Sequence, residues 1–145
     1  MKPEETVDYN IKVAWHAISR MYNQEAVQHD ITTSIGFVLL NIDVDKGAQA
    51  TKIAPLMGLE ARSLTRMLKS MEERNLIYKE QDPNDGRSVR IYLTELGKQK
   101  REVARLTVKR FDKVVKETVA PEKIAIFIEV ISDILELIES KSIYT

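Results

Sequence analysis

Apolar residues repeat with the period of a helix along most of this chain, but over residues 76–93 the period changes to that of a strand. Residues 76–79, Leu-Ile-Tyr-Lys, indicate a short strand, and in residues 89–93 apolar and polar side chains alternate. Between these two runs, residues 82–86 are dense in turn-forming residues. The two runs are therefore predicted to pair as a two-stranded β-hairpin.

Helices are predicted on both sides of this hairpin. Apolar spacing and capping residues indicate helices at residues 4–28, 32–42, 49–57, 60–74 and 94–119, and a last helix that starts at Pro121. Gly58 predicts a tight turn after the third helix, and Asn75, which tolerates the left-handed conformation, is expected to end the fourth. The chain is therefore predicted to be mostly α with a small β-hairpin, an α+β fold.

Charge is distributed unevenly along the chain. The 145 residues carry 22 basic and 22 acidic side chains, so the net charge is zero. Residues 52–110, however, hold 14 Lys and Arg against 8 Asp and Glu, and the two flanks together hold 8 against 14. A basic centre between acidic flanks indicates that one surface can meet an anionic polymer while the rest keeps the protein in solution.

The last predicted helix is apolar over most of its circumference. Its apolar residues are Ile124, Ile126, Phe127, Ile128, Val130, Ile131, Ile134, Leu135, Leu137 and Ile138. A helix with so wide an apolar surface needs packing partners on more than one side. In a chain of this size a second subunit is the simplest partner, and a purely intramolecular core is the alternative. The sequence therefore predicts a homodimer.

The order of the segments points to a winged helix-turn-helix, in which a short helix, a turn, a second helix and a hairpin follow one another. The second helix of such a unit fits the major groove of DNA. The outward face of helix 60–74 carries the polar residues Arg62, Ser63, Thr65, Arg66 and Lys69. Arg87 follows the hairpin turn, and a narrow minor groove attracts such a guanidinium. These six residues are the candidates for DNA binding.

Several motifs within residues 51–97 support this interpretation. They are Gly58-Leu59 and Ser63-Leu64-Thr65-Arg66 in the helix-turn-helix, Asp85-Gly86-Arg87 in the hairpin, and Leu93-Thr94-Glu95-Leu96-Gly97 after it. Together they resemble the multiple-antibiotic-resistance regulator (MarR) family, and the order of the flanking helices matches over nearly the whole chain. The chain departs from the family pattern at Pro55, Glu60, Asn75 and Lys79.

The resemblance implies a homodimeric transcription factor that binds a palindromic operator in double-stranded DNA, in the simplest case a repressor released by a ligand. It implies a single domain over residues 1–145, with the winged helix-turn-helix at 31–97 and dimerisation helices at 4–28 and 95–141. By the same resemblance, the face of helix 60–74 enters the major groove and Arg87 the minor groove. Asp85 is implied to hold the wing tip in shape, and a simple turn-forming role is its alternative.

Three residues near the expected effector crevice, Trp15, His16 and Phe37, are candidates for contact with a small aromatic or amphipathic ligand. Ordinary core or interface packing is the alternative for all three. His16 and His29 have no partner at metal-ligand spacing, so neither a metal nor a cofactor is expected. The chain has no cysteine and shows no phosphate loop, nucleophile elbow or catalytic carboxylate pair, so no enzymatic activity is expected.

No apolar run approaches the roughly 18 residues of a membrane span, and the acidic N-terminus lacks a secretion signal. The expected location is therefore the cytoplasm, and no membrane partner is expected.

The alternative function is a helical dimerisation or protein-interaction module that kept the winged fold but lost DNA binding. In that case Arg62, Arg66 and Lys69 are a solvated helix face and Arg87 is a solubility charge. An interaction module has no need of both features, so their joint presence favours DNA binding.

Overall fold

Six α-helices and three β-strands are present in residues 1–144, the part of the chain that the structure, a computed structural model, describes. A short 3₁₀ turn at Pro3–Glu5 precedes the helices. The helices are α1 (Val7–Val27), α2 (Thr33–Leu40), α3 (Ala50–Met57), α4 (Ala61–Glu73), α5 (Glu95–Thr118) and α6 (Pro121–Glu139). The strands are β1 (Ala48–Gln49), β2 (Ile77–Gln81) and β3 (Val89–Leu93). The prediction of a mostly helical fold with a small β element is confirmed.

The starts of three helices follow from their local sequence. The hydroxyl of Thr32 accepts a hydrogen bond from the backbone N–H of Ile35 at 3.1 Å and caps α2. The hydroxyl of Thr94 accepts one from the N–H of Gly97 at 2.9 Å at the start of α5. Pro121 occupies the first turn of α6, where its missing N–H has no intrahelical partner to lose.

The two helices of the helix-turn-helix end in left-handed residues. Gly58 follows α3 with φ of 65°, and Asn75 follows α4 with φ of 60°. The left-handed conformation was predicted for Asn75 and a tight turn for Gly58, and glycine and asparagine carry the smallest penalty in this conformation. Pro55 lies inside α3 without ending it.

The sheet has three strands and not the two that the sequence predicted. Its order is β1-β3-β2, and both pairs are antiparallel. Strand β1 pairs Ala48 with Ile91 and Gln49 with Arg90. A strand of two residues is too short to show the alternation by which strands are recognised, which is why the prediction was wrong here. Strand β2 also begins and ends later than the predicted residues 76–79.

The close approach of α5 to the hairpin depends on one glycine. A Cβ atom on Gly97 would overlap the carbonyl oxygen of Leu76, so no larger residue fits without movement of the backbone. The N–H of Thr94 donates to the same carbonyl at 3.1 Å. The first turn of α5 is thereby fixed against the start of the hairpin.

The chain divides into two compact units, and the division falls within α5. The N-terminal unit comprises residues 1–107, and the C-terminal unit begins at Val108. The core of the N-terminal unit is formed by α2, α3, α4 and the sheet, with Val38, Leu39, Ile42, Ile53, Met71 and Ile91 fully buried. The C-terminal unit contains the last part of α5 and all of α6. The domain bounds given above stay predictions.

No helix within residues 1–144 is long and apolar enough to cross a membrane.

Candidate nucleic-acid interface

Helix α4 presents a polar face because its apolar face is buried. Leu64, Leu68 and Met71 are at most 4% exposed, and they share one side of the helix at spacings of three and four. The residues on the other side are exposed, and they are Arg62, Thr65, Arg66 and Lys69. Ser63 lies at the boundary and is half-buried. The structure therefore brings four of the five candidate residues of this helix onto one open surface.

The hydroxyl of Thr65 is committed to the helix itself. It donates a hydrogen bond to the carbonyl oxygen of Ala61 at 2.9 Å. In this rotamer Thr65 offers a ligand only its oxygen lone pairs and its methyl group. The side chains of this face that can donate hydrogen bonds to a ligand are therefore the three cations. Thr65 can accept a hydrogen bond from the ligand or contact an apolar methyl group on it.

The start of α4 has no side-chain cap. Glu60 occupies the N-cap position and makes no capping hydrogen bond, as the departure from the family pattern suggested. The N–H groups of the first helical turn therefore have no side-chain acceptor at this position. Such groups carry the positive end of the helix dipole, which adds to the positive charge of Arg62.

The wing tip is a turn with its own set of hydrogen bonds. The carboxylate of Asp85 accepts from the backbone N–H of Arg87 and from the hydroxyl of Ser88, both at 3.0 Å. The amide of Gln81 donates to the carbonyl oxygen of Gly86 at 2.6 Å. The Arg87 side chain is exposed at the end of this turn. The sequence candidates Asp85 and Arg87 thus lie together at the tip.

The base of the wing loop, residues 82–88, contains a buried carboxylate, which belongs to Asp82 and follows the last strand pair, Gln81 with Val89. Its Oδ1 accepts from the N–H of Asn84 at 2.8 Å, and its Oδ2 accepts from the Gln49 amide at 3.2 Å and from Arg90 Nη1 at 3.3 Å. These hydrogen bonds, first that of Asn84 and then that of Gln49, lower the pKa of Asp82, although burial opposes the shift. The carboxylate is therefore ionised at neutral pH.

Sequence reasoning missed this arrangement. The sequence indicates only a turn-forming residue at Asp82 and a polar strand residue at Arg90. Gln49 lies 33 residues from Asp82, so only the fold brings the two together. The one signal in the sequence was the presence of two aspartates in a turn of five residues, which is more acidity than a turn requires.

The candidate ligand residues divide into a packed pair and an exposed residue. The rings of Trp15 and Phe37 lie 5.7 Å apart between centroids, and Tyr22 meets Phe37 edge-on at 6.0 Å. Trp15 is 48% exposed, and His16 is exposed beside it. Within residues 1–144 no group of His, Cys, Asp or Glu side chains is placed to hold a metal ion.

A separate apolar groove of about 610 Å³ lies within the C-terminal unit. Its lining is mostly apolar, with Phe111, Val115, Val119, Ile124, Phe127 and Ile128, and its charged members are Asp112, Lys116 and Lys123. Helix α6 has no buried residue, and Phe127, Ile128, Leu135 and Ile138 are each more than half exposed. None of the candidate DNA or ligand residues lies in this unit.

A polar second helix and an arginine-tipped hairpin on one compact unit define a winged helix-turn-helix protein. Residues 31–89, about two fifths of the chain, match the model of the MarR family, and this part of the chain is similar to that family. It is 29% identical over 96 residues to the HTH-type transcriptional regulator SarZ of Staphylococcus aureus. This alignment covers 66% of the chain and 65% of SarZ, which is slightly less than two thirds of the relative.

Solved structures share the fold at lower identity. The S. aureus MepR–DNA complex superimposes with a TM-score of 0.82 at 20% identity, covering 92% of this chain and 98% of MepR. The PcaV transcriptional regulator of Streptomyces coelicolor, in complex with its natural ligand, gives a TM-score of 0.79 at 18% identity, with coverages of 94% and 96%. The family and these relatives are regulators and not enzymes, in agreement with the prediction from the sequence.

Proposed function

We propose that this protein is a homodimeric, sequence-specific DNA-binding regulator of transcription, in the simplest case a repressor released by a small ligand. The observation that carries the proposal is the exposed cationic face of α4 together with exposed Arg87 at the wing tip. Both features lie within the residues that match the family model. A regulator of transcription acts in the cytoplasm of a bacterial cell, which is the location we propose.

The two cationic features suit different parts of DNA. Arg62 and Arg66 on α4 carry planar guanidinium groups that can bind guanine edges in the major groove through two hydrogen bonds. Lys69 is a compact cation suited to a phosphate. Arg87 on an extended hairpin suits the minor groove, whose negative potential rises where A·T pairs narrow it. Each protomer would therefore contact two neighbouring grooves.

The proposal of a homodimer rests on the exposed apolar surface of the C-terminal unit. An unpartnered helix with this many exposed apolar residues is unfavourable in water and is typical of an association surface. A symmetric dimer would present two copies of α4 to two half-sites about 34 Å apart, one turn of DNA. The operator would then be palindromic.

The proposal of ligand control rests on the packed aromatic pair Trp15 and Phe37, and a related fold, PcaV, is known with its natural ligand. We propose a small aromatic or amphipathic ligand that contacts Trp15, His16 and Phe37. Trp15 is the one tryptophan of the sequence, so saturable quenching of its fluorescence by a small aromatic acid would report binding directly. Phe37→Ala should weaken this quenching.

Selection of bound duplexes from a random pool tests the DNA-binding function. We expect enrichment of a palindrome whose half-sites lie about one helical turn apart. The double variant Arg62→Ala, Arg66→Ala should enrich no sequence. Lys113→Ala, a change of an exposed lysine in the C-terminal unit, is the matched control and should enrich the same palindrome as the wild type.

Two outcomes would contradict the proposal. If the wild type enriches no sequence and binds duplexes only weakly and equally, the protein is not a specific regulator. The protein-interaction module then becomes the better interpretation. If the double variant enriches the same palindrome as the wild type, the α4 face does not read bases.

A further inference from the structure

The buried carboxylate of Asp82 takes no part in the proposed DNA contacts, yet it gathers hydrogen bonds from three separate segments. Within residues 1–144, Asp82 is the one charged side chain that is buried, and 3% of its surface is exposed. Gln49 immediately precedes α3, Asn84 belongs to the wing loop and Arg90 belongs to β3. Asp82 therefore joins the wing to the beginning of the helix-turn-helix.

Arg90 extends the same connection. Its Nη1 donates to Asp82 at 3.3 Å, and its Nε donates to the carbonyl oxygen of Lys46 at 2.7 Å. Lys46 lies in the turn before β1, where the Asp43 carboxylate accepts from the N–H groups of Asp45 and Lys46 at 2.9 and 2.7 Å. The Arg90 guanidinium thus connects Asp82, at the start of the wing loop, with Lys46 in the turn ahead of β1.

The strands of the wing are held by the core, in which Leu76, Ile77, Ile91 and Leu93 are buried, but residues 83–88 of the wing loop contribute nothing to that core. Strand β1 has only two residues, and it pairs with β3 at Ala48 and Gln49. The tip, by contrast, has its own hydrogen bonds through Asp85. Without the side-chain contacts of Asp82, the wing loop, residues 82–88, could therefore change its orientation relative to the strands, and Arg87 would move with it.

We propose that Asp82, Arg90 and Gln49, the wing-base cluster at the base of the wing loop, are positioning residues that fix this loop relative to β1 and the start of α3. This inference rests on the proposed function, because its consequence is that α4 and Arg87 reach their two grooves in a single docking event. A wing that is already ordered loses less conformational entropy when it binds. The cluster contacts no DNA itself and acts only through Arg87.

A double-mutant cycle between Asp82 and Arg87 tests the proposal. Asp82→Asn keeps the size and an oxygen acceptor but removes the charge. Affinity is measured by fluorescence anisotropy on the duplex selected from the random pool. We expect Asp82→Asn to weaken binding about tenfold in the wild-type background and hardly at all when Arg87→Ala is already present. Arg90→Lys should behave in the same way.

Glu102→Gln is the matched control. It removes the charge from an exposed ion pair with Arg105 in the same unit, and it should leave affinity unchanged in both backgrounds. Equal weakening by Asp82→Asn in the two backgrounds would overturn the proposal, because a general loss of folded protein affects binding whether or not Arg87 is present. If Asp82→Asn does not fold, Gln49→Met enters the same cycle with the same expected result.

Amide hydrogen exchange without DNA separates this inference from the proposed function. We expect residues 83–88 to exchange faster in Asp82→Asn than in the wild type, while the buried part of α4 exchanges at an unchanged rate. If the wild type binds no DNA but the wing exchanges faster in the variant, the proposed function fails and the positioning role stands. Unchanged exchange in the wing would overturn the positioning role.

Discussion

The two units of the chain bury their apolar residues to very different extents. In the N-terminal unit, Val38, Leu39 and Ile91 are completely buried, and the core includes residues of α2, α3, α4 and the sheet. In the C-terminal unit, α6 is at least as rich in apolar residues but has none that is buried. Hydrophobic stabilisation follows the area removed from water. The N-terminal unit therefore contains its own source of stability, whereas α6 requires a partner surface.

The same division separates the residues proposed for DNA from the exposed apolar surface of α6, although the predicted dimerisation helix at residues 4–28 lies in the N-terminal unit. The α4 face, the wing tip and the wing-base cluster all lie within residues 1–107. The apolar groove and the exposed side of α6 lie beyond them. Substitutions in α4 or the wing tip should therefore weaken DNA binding without dissociating the dimer, whereas substitutions in α6 should weaken DNA binding by dissociating it, which the following predictions test.

The largest expected effect is loss of the dimer on substitution in α6. Leu135 is 54% exposed, so an aspartate there costs the protomer little but places a charge in the proposed subunit contact. Leu135→Asp should be monomeric by light scattering at micromolar concentration. Its affinity for the palindromic duplex should fall about a hundredfold or more, because the two half-sites are then bound independently.

Leu135 is a sharper test of association than Ile131 of the same helix. Ile131 is half-buried, so a charge there also disturbs packing within the protomer. Glu129→Gln, a change on α6 that leaves its apolar residues intact, serves as the control and should remain dimeric. A wild-type protein that is monomeric at micromolar concentration would contradict both the dimer and the two-half-site geometry.

The second effect concerns the core of the N-terminal unit. Leu39 is completely buried, and Leu39→Ala should lower the free energy of unfolding by about 2–5 kcal/mol in urea denaturation. Leu56, which is 70% exposed, provides the matched control, and Leu56→Ala should change stability by no more than about 0.5 kcal/mol.

The Leu39→Ala measurement is repeated in the Leu135→Asp background at the same protein concentration. We expect a similar loss there, because the core of the N-terminal unit does not depend on association. If Leu39→Ala and Leu56→Ala lower the free energy of unfolding equally, the buried core contributes less to stability than its burial implies.

Most of the fold was predictable because its signals are local. The inward stripe of α4, the caps at Thr32 and Thr94 and the left-handed Asn75 each depend on residues within one or two turns of the chain. Strand β1 was not predictable, since two residues carry no period. Val89 belongs to the predicted alternation of residues 89–93, but it is 45% exposed because it lies at the tip end of the hairpin, opposite exposed Gln81.

The candidate site divides in the same way. The α4 face and Arg87 could be named from the sequence because helical spacing and a turn place them without reference to other segments. The wing-base cluster could not, because it depends on the contact of Gln49 with Asp82 and of Arg90 with the Lys46 carbonyl, which only the folded chain creates. Long-range polar contacts of this kind leave no periodic pattern in the sequence.

The third effect separates base contacts from phosphate contacts on α4. Arg66→Ala should cost about 1–3 kcal/mol on the preferred duplex if it binds a guanine edge, and much less on random DNA. Lys69→Ala should weaken binding to both duplexes about equally. It should also reduce the steepness of the plot of log binding constant against log salt concentration by roughly 0.9. Equal losses on both duplexes for Arg66→Ala would assign that residue to a phosphate.

The smallest effect on the fold is expected at Arg87, because its side chain is exposed at the wing tip and the turn is held by other groups. The carboxylate of Asp85 binds the backbone N–H of Arg87, which alanine retains. Arg87→Ala should therefore change stability by about 0.5 kcal/mol or less and leave the dimer intact. Operator binding should nevertheless weaken severalfold, and more strongly when the bases under the wing are A·T-rich than when they are G·C-rich. Thermal unfolding, light scattering and anisotropy on the two duplexes measure these three quantities.

Wild-type affinity in Arg87→Ala at physiological salt would mean that the wing does not contact DNA, and the interaction-module interpretation would then be preferred.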